Sequence, residues 1–265
     1  MEVRAKKALG QHFLTDQKVA RAIVDALGGP CRALEVGPGM GVLTQYLLAR
    51  EDVDLKMVEI DSESVTYLLK HFPGIEGKLL EADFLSLRLG ELFPERFSVI
   101  GNFPYNISSQ IFFKILDHKT LVPEVVCMIQ KEVAERIAER PGTKTYGILS
   151  VLLQAWYDIE YLFTVGPGAF APPPKVHSAV IRLRRNARES LGCDEVLFKT
   201  LVKTSFGQRR KTLRNSLKPL AKGMGLADEA LAAFLSDAVF DLRPERLGVE
   251  DFIALTQRFE SLRNA

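Results

Sequence analysis

Asn102-Phe103-Pro104-Tyr105 carries the most specific chemistry in this 265-residue chain. It follows the apolar run Phe97-Ser98-Val99-Ile100 and so stands at the tip of a strand. The 6-amino nitrogen of adenine is a weak nucleophile because its lone pair is delocalised into the ring. A site that accepts hydrogen bonds from that amine, through the Asn102 side-chain oxygen and the Pro104 carbonyl, favours a tetrahedral nitrogen whose lone pair faces an incoming methyl group. Tyr105 would hold a flipped base by stacking, worth ~1–3 kcal/mol per base. No general base is required, since the positive nitrogen formed by in-line displacement sheds its proton afterwards, and alignment supplies most of the acceleration. Taken alone, Asn-x-Pro-Tyr can also be read as an ordinary turn after a strand.

A second group of residues suits a nucleoside cofactor. Glu35-Val36-Gly37-Pro38-Gly39-Met40-Gly41 lies where a first strand turns into a first helix, the place where an open α/β sheet binds its ligand. Gly37 and Gly39 let the backbone approach the ligand without a Cβ in the way. The dinucleotide fingerprint needs a glycine at position 42, which is Val42, and the acid Glu35 before the glycines suits a cationic ligand better than a pyrophosphate. A nicotinamide nucleotide and a plain tight turn stay open as readings of this loop. Glu59, about 20 residues beyond the glycines, is placed to accept from both hydroxyls of a ribose. Asp83 can accept from the exocyclic amine of the cofactor's adenine, with Ile60 and Phe84 positioned to sandwich that ring. Each acid by itself is also a surface residue at a strand end.

At these residues the chain resembles the ribosomal RNA adenine dimethyltransferase family, of the bacterial KsgA type, whose relatives methylate large-subunit RNA or serve as mitochondrial transcription factors B. The blocks run in order along nearly the whole chain: Lys6-Lys7-Ala8-Leu9-Gly10-Gln11-His12-Phe13-Leu14, Glu35–Gly41, Val58-Glu59-Ile60-Asp61, Ala82-Asp83-Phe84, Asn102–Tyr105, Phe170-Ala171-Pro172-Pro173-Pro174-Lys175-Val176 and Phe206-Gly207-Gln208-Arg209-Arg210-Lys211. The resemblance implies S-adenosylmethionine as cofactor. It implies that Gln11, His12 and Leu14 join Gly37, Gly39, Glu59, Asp83 and Asn102 around it, and that Phe170 opposes Tyr105 across the target base. It further implies two neighbouring adenines near the 3′ end of the small-subunit RNA, each dimethylated, in a partly assembled subunit. His12 stands where many members have Asn, and Phe103 where Leu or Ile is frequent; both keep the character the site needs.

These residues must be positioned by alternating elements. Asp16–Leu27 spaces its apolar residues as a helix, with Thr15 as its N-cap. Strands are expected at 32–36, 54–60, 78–80, 97–100 and 124–129, and helices at 42–50, 62–72, 108–116 and 146–157. Such alternation means βαβ units and a parallel sheet. A last pair, 159–165 and 176–183, flanks the loop Gly166–Pro174 and is antiparallel because its connection is short, so one sheet edge is mixed. Helices at 196–206, 210–217, 228–235 and 249–262 follow. The expected fold class is α/β: a Rossmann-like class I methyltransferase sheet over 1–186 that binds S-adenosylmethionine, with a small all-helical RNA-binding domain over 187–265.

Composition narrows the partners. The net charge of +2 conceals uneven patterning: no Asp or Glu occurs from Tyr161 to Arg188 or from Val196 to Ala227. The second stretch holds Lys199, Lys203, Arg209, Arg210, Lys211, Arg214, Lys218 and Lys222, a candidate phosphate-binding face, with Arg182, Arg184, Arg185 and Arg188 as a further cluster. Such runs are also read as solvated helix faces. Arg209, Arg210, Lys211 and Arg214 are the expected RNA-binding residues. Cys31, Cys127 and Cys193 lack disulfide or zinc spacing, the four histidines suggest no metal, and no apolar run approaches a membrane span. A soluble cytoplasmic monomer is expected. Rival readings are a nicotinamide oxidoreductase, which leaves Asn102–Tyr105 without a task, a large-subunit methyltransferase, and a non-catalytic RNA-binding assembly factor, for which the intact Asn102, Pro104 and Tyr105 are superfluous.

Overall fold

The computed structural model describes Val3, Lys6 and residues 9–225 and 227–263. Lys7 and Ala8 of the opening motif, Met1, Glu2, Arg4 and Ala5 of the charged N-terminus, and Leu226 of the basic stretch lie outside the described residues.

The first compact unit, within residues 1–135 and 157–186, is built on a seven-stranded sheet. Its strands are β2 (Cys31–Val36), β3 (Val53–Glu59), β4 (Leu79–Glu81), β5 (Ser98–Asn102), β6 (Glu124–Gln130), β7 (Tyr157–Val165) and β9 (Ser178–Arg185), in the spatial order β4-β3-β2-β5-β6-β9-β7. The five from β4 to β6 are parallel, whereas β9 runs antiparallel to both β6 and β7. Parallel strands buried on both faces read as apolar runs, and Val125–Ile129 of β6 is wholly buried. From β2 the chain steps outward through β3 and β4, then returns to place β5 on the other side of β2. That reversal leaves a crevice beyond the carboxyl ends of the strands, where Gly37, Glu59 and Asn102 all fall.

Helix α1 (Gln17–Asp25) leads into β2, and α2 (Thr44–Leu48), α3 (Ser62–His71) and α4 (Ser108–Asp117) connect β2 to β3, β3 to β4 and β5 to β6. The N-cap of α1 is Asp16, whose carboxylate accepts from Lys18 N and Val19 N; the expected cap, Thr15, donates its hydroxyl to Ala169 O instead. Helix α5 (Lys131–Ala138) has no start signal in the sequence, because β6 runs into it with no glycine, proline or other turn residue between. A two-stranded ribbon, β1 (Phe13–Leu14) against β8 (Phe170–Ala171), pairs Leu14 with Phe170 and ties the N-terminal segment to the Pro-rich loop.

The second unit comprises 136–156 and 187–265, with α6 (Ile148–Gln154), α7 (Glu195–Gly207), α8 (Leu213–Lys222), α9 (Asp228–Leu235) and α10 (Val249–Arg263). A single cut after Asn186 would leave 136–156 with the sheet; the chain's contacts group it with the C-terminal helices. The Tyr146 ring lies 6.1 Å from that of Phe206, which lies 6.1 Å from Phe252, and Gly142 N donates to Glu245 O. Phe234, Phe240 and Phe259 form a second aromatic cluster. Helix α8 begins at Leu213 rather than 210, because Lys211 N closes a turn onto Gln208 O.

Close backbone approach governs the sheet beside the crevice. A Cβ on Gly101 would stand 2.5 Å from Val36 O and 3.2 Å from the Phe103 ring. Gly101→Ala is expected to push β5 from β2 and to lower stability by ~1–3 kcal/mol, the usual cost of overpacking, read by urea denaturation. A stability equal to that of the parent would show that the two strands have slack at this point.

Candidate active site

The turn after β2 uses left-handed glycines: φ is +69° at Gly37 and +57° at Gly39. A Cβ on Gly37 would meet no atom within 4 Å, while one on Gly39 would stand 3.0 Å from the Phe13 ring. Gly37 N donates to Val58 O at 2.9 Å, and Gly39 N donates to Glu59 Oε2 at 3.0 Å. The other oxygen of Glu59 accepts from Ile60 N at 2.9 Å and Asp61 N at 3.0 Å. Backbone donors thus fill three of the carboxylate's about four acceptor positions. The open position is on Oε2, so Glu59 presents one oxygen, not two, to a ribose. Burial pushes its pKa up and the three backbone donors pull against that shift.

Asp83 lies just beyond β4 and caps the 3₁₀ turn Phe84–Ser86, accepting from Leu85 N at 2.9 Å and Ser86 Oγ at 3.3 Å. Phe84 is buried, whereas Ile60 is 53% exposed. Both line one cleft of about 220 Å³ with Gln11, His12, Leu14, Gly37, Gly39, Glu59, Asp83, Asn102, Pro104 and Tyr105. A bare isoleucine opposite a buried phenylalanine, beside an acid with spare acceptor capacity, fits the flat face and amine of an adenine.

At the far side of the cleft, Asn102 Nδ2 donates to His12 O at 3.0 Å, which leaves Oδ1 as the free end of the amide. The residue is held by β5 pairing with Met128 and by Phe103 N donating to Met128 O. Phe103 is fully buried, its ring edge-on to Phe112. The Pro104 carbonyl accepts from Ile107 N at 3.2 Å and keeps its second lone pair. The Tyr105 hydroxyl shares a 2.5 Å hydrogen bond with Ser178 Oγ, and burial raises its pKa, so the phenol stays neutral. The ring beside Tyr105 is that of His12, 5.4 Å away and tilted by 32°. His12 Nδ1 donates to Pro172 O at 3.0 Å, the carbonyl fixing which nitrogen carries the hydrogen.

Several expected residues stand elsewhere. Phe170 is buried within the core cluster of Leu14, Val165 and Val180 and does not line the cleft, so it does not oppose Tyr105 in this conformation. Gln11 lines the cleft but both ends of its amide are engaged, Nε2 with Asp61 Oδ2 and Oε1 with Lys6 N. Asp61, with Lys6 also on it at 2.5 Å, anchors this N-terminal segment; the sequence marked Asp61 only as part of a motif. Glu35 is 1% exposed, accepts from Thr44 Oγ1 at 2.8 Å and does not face the cleft. Burial pushes its pKa up to about 8, with the Glu59 charge adding and Thr44 opposing, so it is no counter-charge for a cationic ligand.

The basic residues divide likewise. Arg214 forms an ion pair with Asp241 at 2.5 Å and donates to Leu235 O, and Arg209 donates to Tyr146 O at 3.2 Å. Arg210, Lys211, Lys218 and Lys222 are exposed. The Arg182–Arg188 cluster is spoken for: Arg182 pairs with Glu160, Arg184 with Glu124 and Arg188 with Glu250, while Arg185 lies over the Tyr157 ring. Among the described residues no group of three metal-ligating side chains occurs, and no helix is long and apolar enough to cross a membrane.

The family model described as ribosomal RNA adenine dimethylase matches residues 2–235. The chain belongs to that family. A relative from Parabacteroides distasonis, named ribosomal RNA small subunit methyltransferase A, is 60% identical over 96% of this chain and 93% of its own. One of the same name from Bacteroides thetaiotaomicron is 56% identical over 97% and 95%. Among solved structures, a dimethyladenosine transferase from Plasmodium falciparum, 24% identical, shares the fold at a TM-score of 0.81 over 95% of this chain and 98% of its own. The 23S rRNA methyltransferase ErmE is 26% identical, with a TM-score of 0.61 over 94% and 99%. The fold is that of a class I methyltransferase, and the chain is a methyltransferase with S-adenosylmethionine as its cofactor.

Glu35 supplies a test of this burial. Its carboxyl in the folded chain titrates near 8 against an ordinary 4.5, so the favourable protonated form is fully present below about 4.5 and its contribution is lost as pH rises through 8. In Glu35→Gln, which keeps the Thr44 contact, stability measured by urea denaturation between pH 5 and 8.5 should fall less steeply than in the parent. Identical slopes would place the Glu35 carboxyl in a wetter setting than the buried one described.

Proposed function

We propose that this protein dimethylates the 6-amino nitrogens of two adjacent adenines near the 3′ end of small-subunit ribosomal RNA, working in the cytoplasm as a single copy on a partly assembled subunit. The observation that carries the reading is the Asn102 amide, whose nitrogen end is engaged by the His12 carbonyl so that Oδ1 is left for a substrate amine. The names of the relatives, which specify the small subunit, favour that target over the large one.

Bound in the cleft, S-adenosylmethionine supplies an electrophilic methyl group on a positive sulfur. Tyr105 stacks on the target base, its ring position set by the Ser178 bond. Asn102 Oδ1 and Pro104 O accept the two amine hydrogens and draw the nitrogen towards tetrahedral geometry. As the N–CH3 bond forms and the S–CH3 bond breaks, positive charge grows on that nitrogen, and the same two oxygens stabilise it. The proton then leaves to water. In the second transfer one hydrogen remains, so one acceptor suffices and the other makes room for the first methyl.

For the RNA, Arg210 and Lys211, exposed in the turn before α8, offer phosphate contacts, with Lys218 and Lys222 on the helix itself. Arg209 and Arg214 support that surface from within.

Two experiments test this. Labelled methyl transfer to unmethylated small subunits, with naked RNA and large subunits in parallel, should give dimethyladenosine from small subunits alone; Asn102→Ala should abolish it while cofactor affinity stays within a few-fold. Transfer to large subunits only, or an equal loss of cofactor binding in that variant, would overturn the reading. Arg210→Ala with Lys211→Ala should flatten the salt dependence of RNA binding by roughly one unit of slope per lost phosphate contact. Arg214→Ala should instead lower the melting temperature, and the reverse pattern would move the RNA face.

A further inference from the structure

Lys114 of α4 reaches the turn that carries the adenine-side residues. Its ammonium group donates to Leu85 O at 2.7 Å and to Leu87 O at 2.6 Å, and its Nζ lies 5.7 Å from the centre of the Phe84 ring. An ammonium has three donors, so two are committed to carbonyls on either side of Ser86. The turn they hold is the one whose cap is Asp83, bound to it through Leu85 N and Ser86 Oγ. Lys114 is half-buried; burial pulls its pKa below the ordinary lysine value, and the Asp83 charge acts in the opposite direction.

We propose that Lys114 is a positioning residue for cofactor recognition: by clamping the Leu85 and Leu87 carbonyls beneath Phe84 it aims the Asp83 carboxylate, and so makes the cleft select a 6-amino purine over a 6-oxo purine. A carboxylate accepts from an exocyclic amine but repels a carbonyl oxygen, so its placement sets the discrimination. Leu85 is itself a wall of the cleft, so a shift of this turn is felt there directly. The proposal rests on the reading of Asp83 as the partner of the cofactor's adenine amine.

The test is binding of S-adenosylhomocysteine and S-inosylhomocysteine by calorimetry to the parent, Lys114→Met, Lys114→Gln and Asp83→Asn. The parent should favour the adenosine compound by roughly tenfold or more, the worth of one charge-assisted hydrogen bond. Lys114→Met, which keeps the aliphatic stem and loses the donors, should bring the two affinities within about threefold by weakening the adenosine compound alone. The loss should fall in KM for S-adenosylmethionine rather than in kcat. Lys114→Gln, which keeps a donor for one carbonyl, should retain part of the preference, and it decides the matter if the Met variant does not fold. Equal weakening of both compounds, or an undiminished preference in folded Lys114 variants while Asp83→Asn loses it, would overturn the proposal. A preference undiminished in Asp83→Asn would overturn the reading of Asp83 beneath it.

Discussion

A carboxamide has two ends, and the chemistry proposed for Asn102 requires that the oxygen face the substrate. The His12 carbonyl decides this by accepting from Nδ2. That carbonyl is in place because Phe13 and Leu14 pair with Ala171 and Phe170, because Thr15 bonds Ala169, and because Asp61 holds Gln11 from the other side. The orientation of the Asn102 amide is therefore set by a segment more than eighty residues away in sequence, which ties a two-stranded ribbon of minimal length to the cleft. A strand of two residues has little stability of its own, and burial of Leu14 and Phe170 in the core supplies what its hydrogen bonds do not.

The sheet was legible because its signals are local. Apolar runs such as Val125–Ile129 mark buried parallel strands, and the glycines after β2 mark a backbone that must turn left-handed beside a ligand. Glu59 and Asp83 were found from strand ends, and both fall in the cleft. What stayed hidden depended on partners distant in sequence. Glu35 reads as an acid beside a ligand loop, yet its environment is Thr44 and the core. Phe170 reads as an aromatic platform, yet its side chain is buried in the core cluster. Lys114 and the close approach at Gly101 have no local signature at all, and Asp61 stands in a motif that does not reveal its hold on Lys6 and Gln11.

The basic residues illustrate the same limit. Charge runs record where lysines and arginines occur but not what neutralises them. Arg182 and Arg184 of β9 pair with glutamates of β7 and β6, and Arg188 and Arg214 find acids in their own helical unit. Arginine is favoured for such bonds because its planar fork satisfies carboxylates and carbonyls together. The residues offered to a polyanion are the exposed Arg210 and Lys211 before α8 and Lys218 and Lys222 along it, a smaller face than the sequence count suggests.

Across the cleft the protein divides its work between backbone and side chain. Glu59 is held by three N–H groups, Pro104 offers a carbonyl, and Asn102 is oriented by another. Backbone groups are fixed by the strands that carry them, so they do not reorganise as charge develops on the substrate nitrogen. This matters for a nitrogen that is methylated twice. Its donors fall from two to one between the transfers, so a site of acidic side chains would be left with an unmatched buried charge after the first step. A neutral amide and a carbonyl, each already holding one hydrogen bond of its own, tolerate the loss of a substrate donor at small cost, as the proposed second transfer requires.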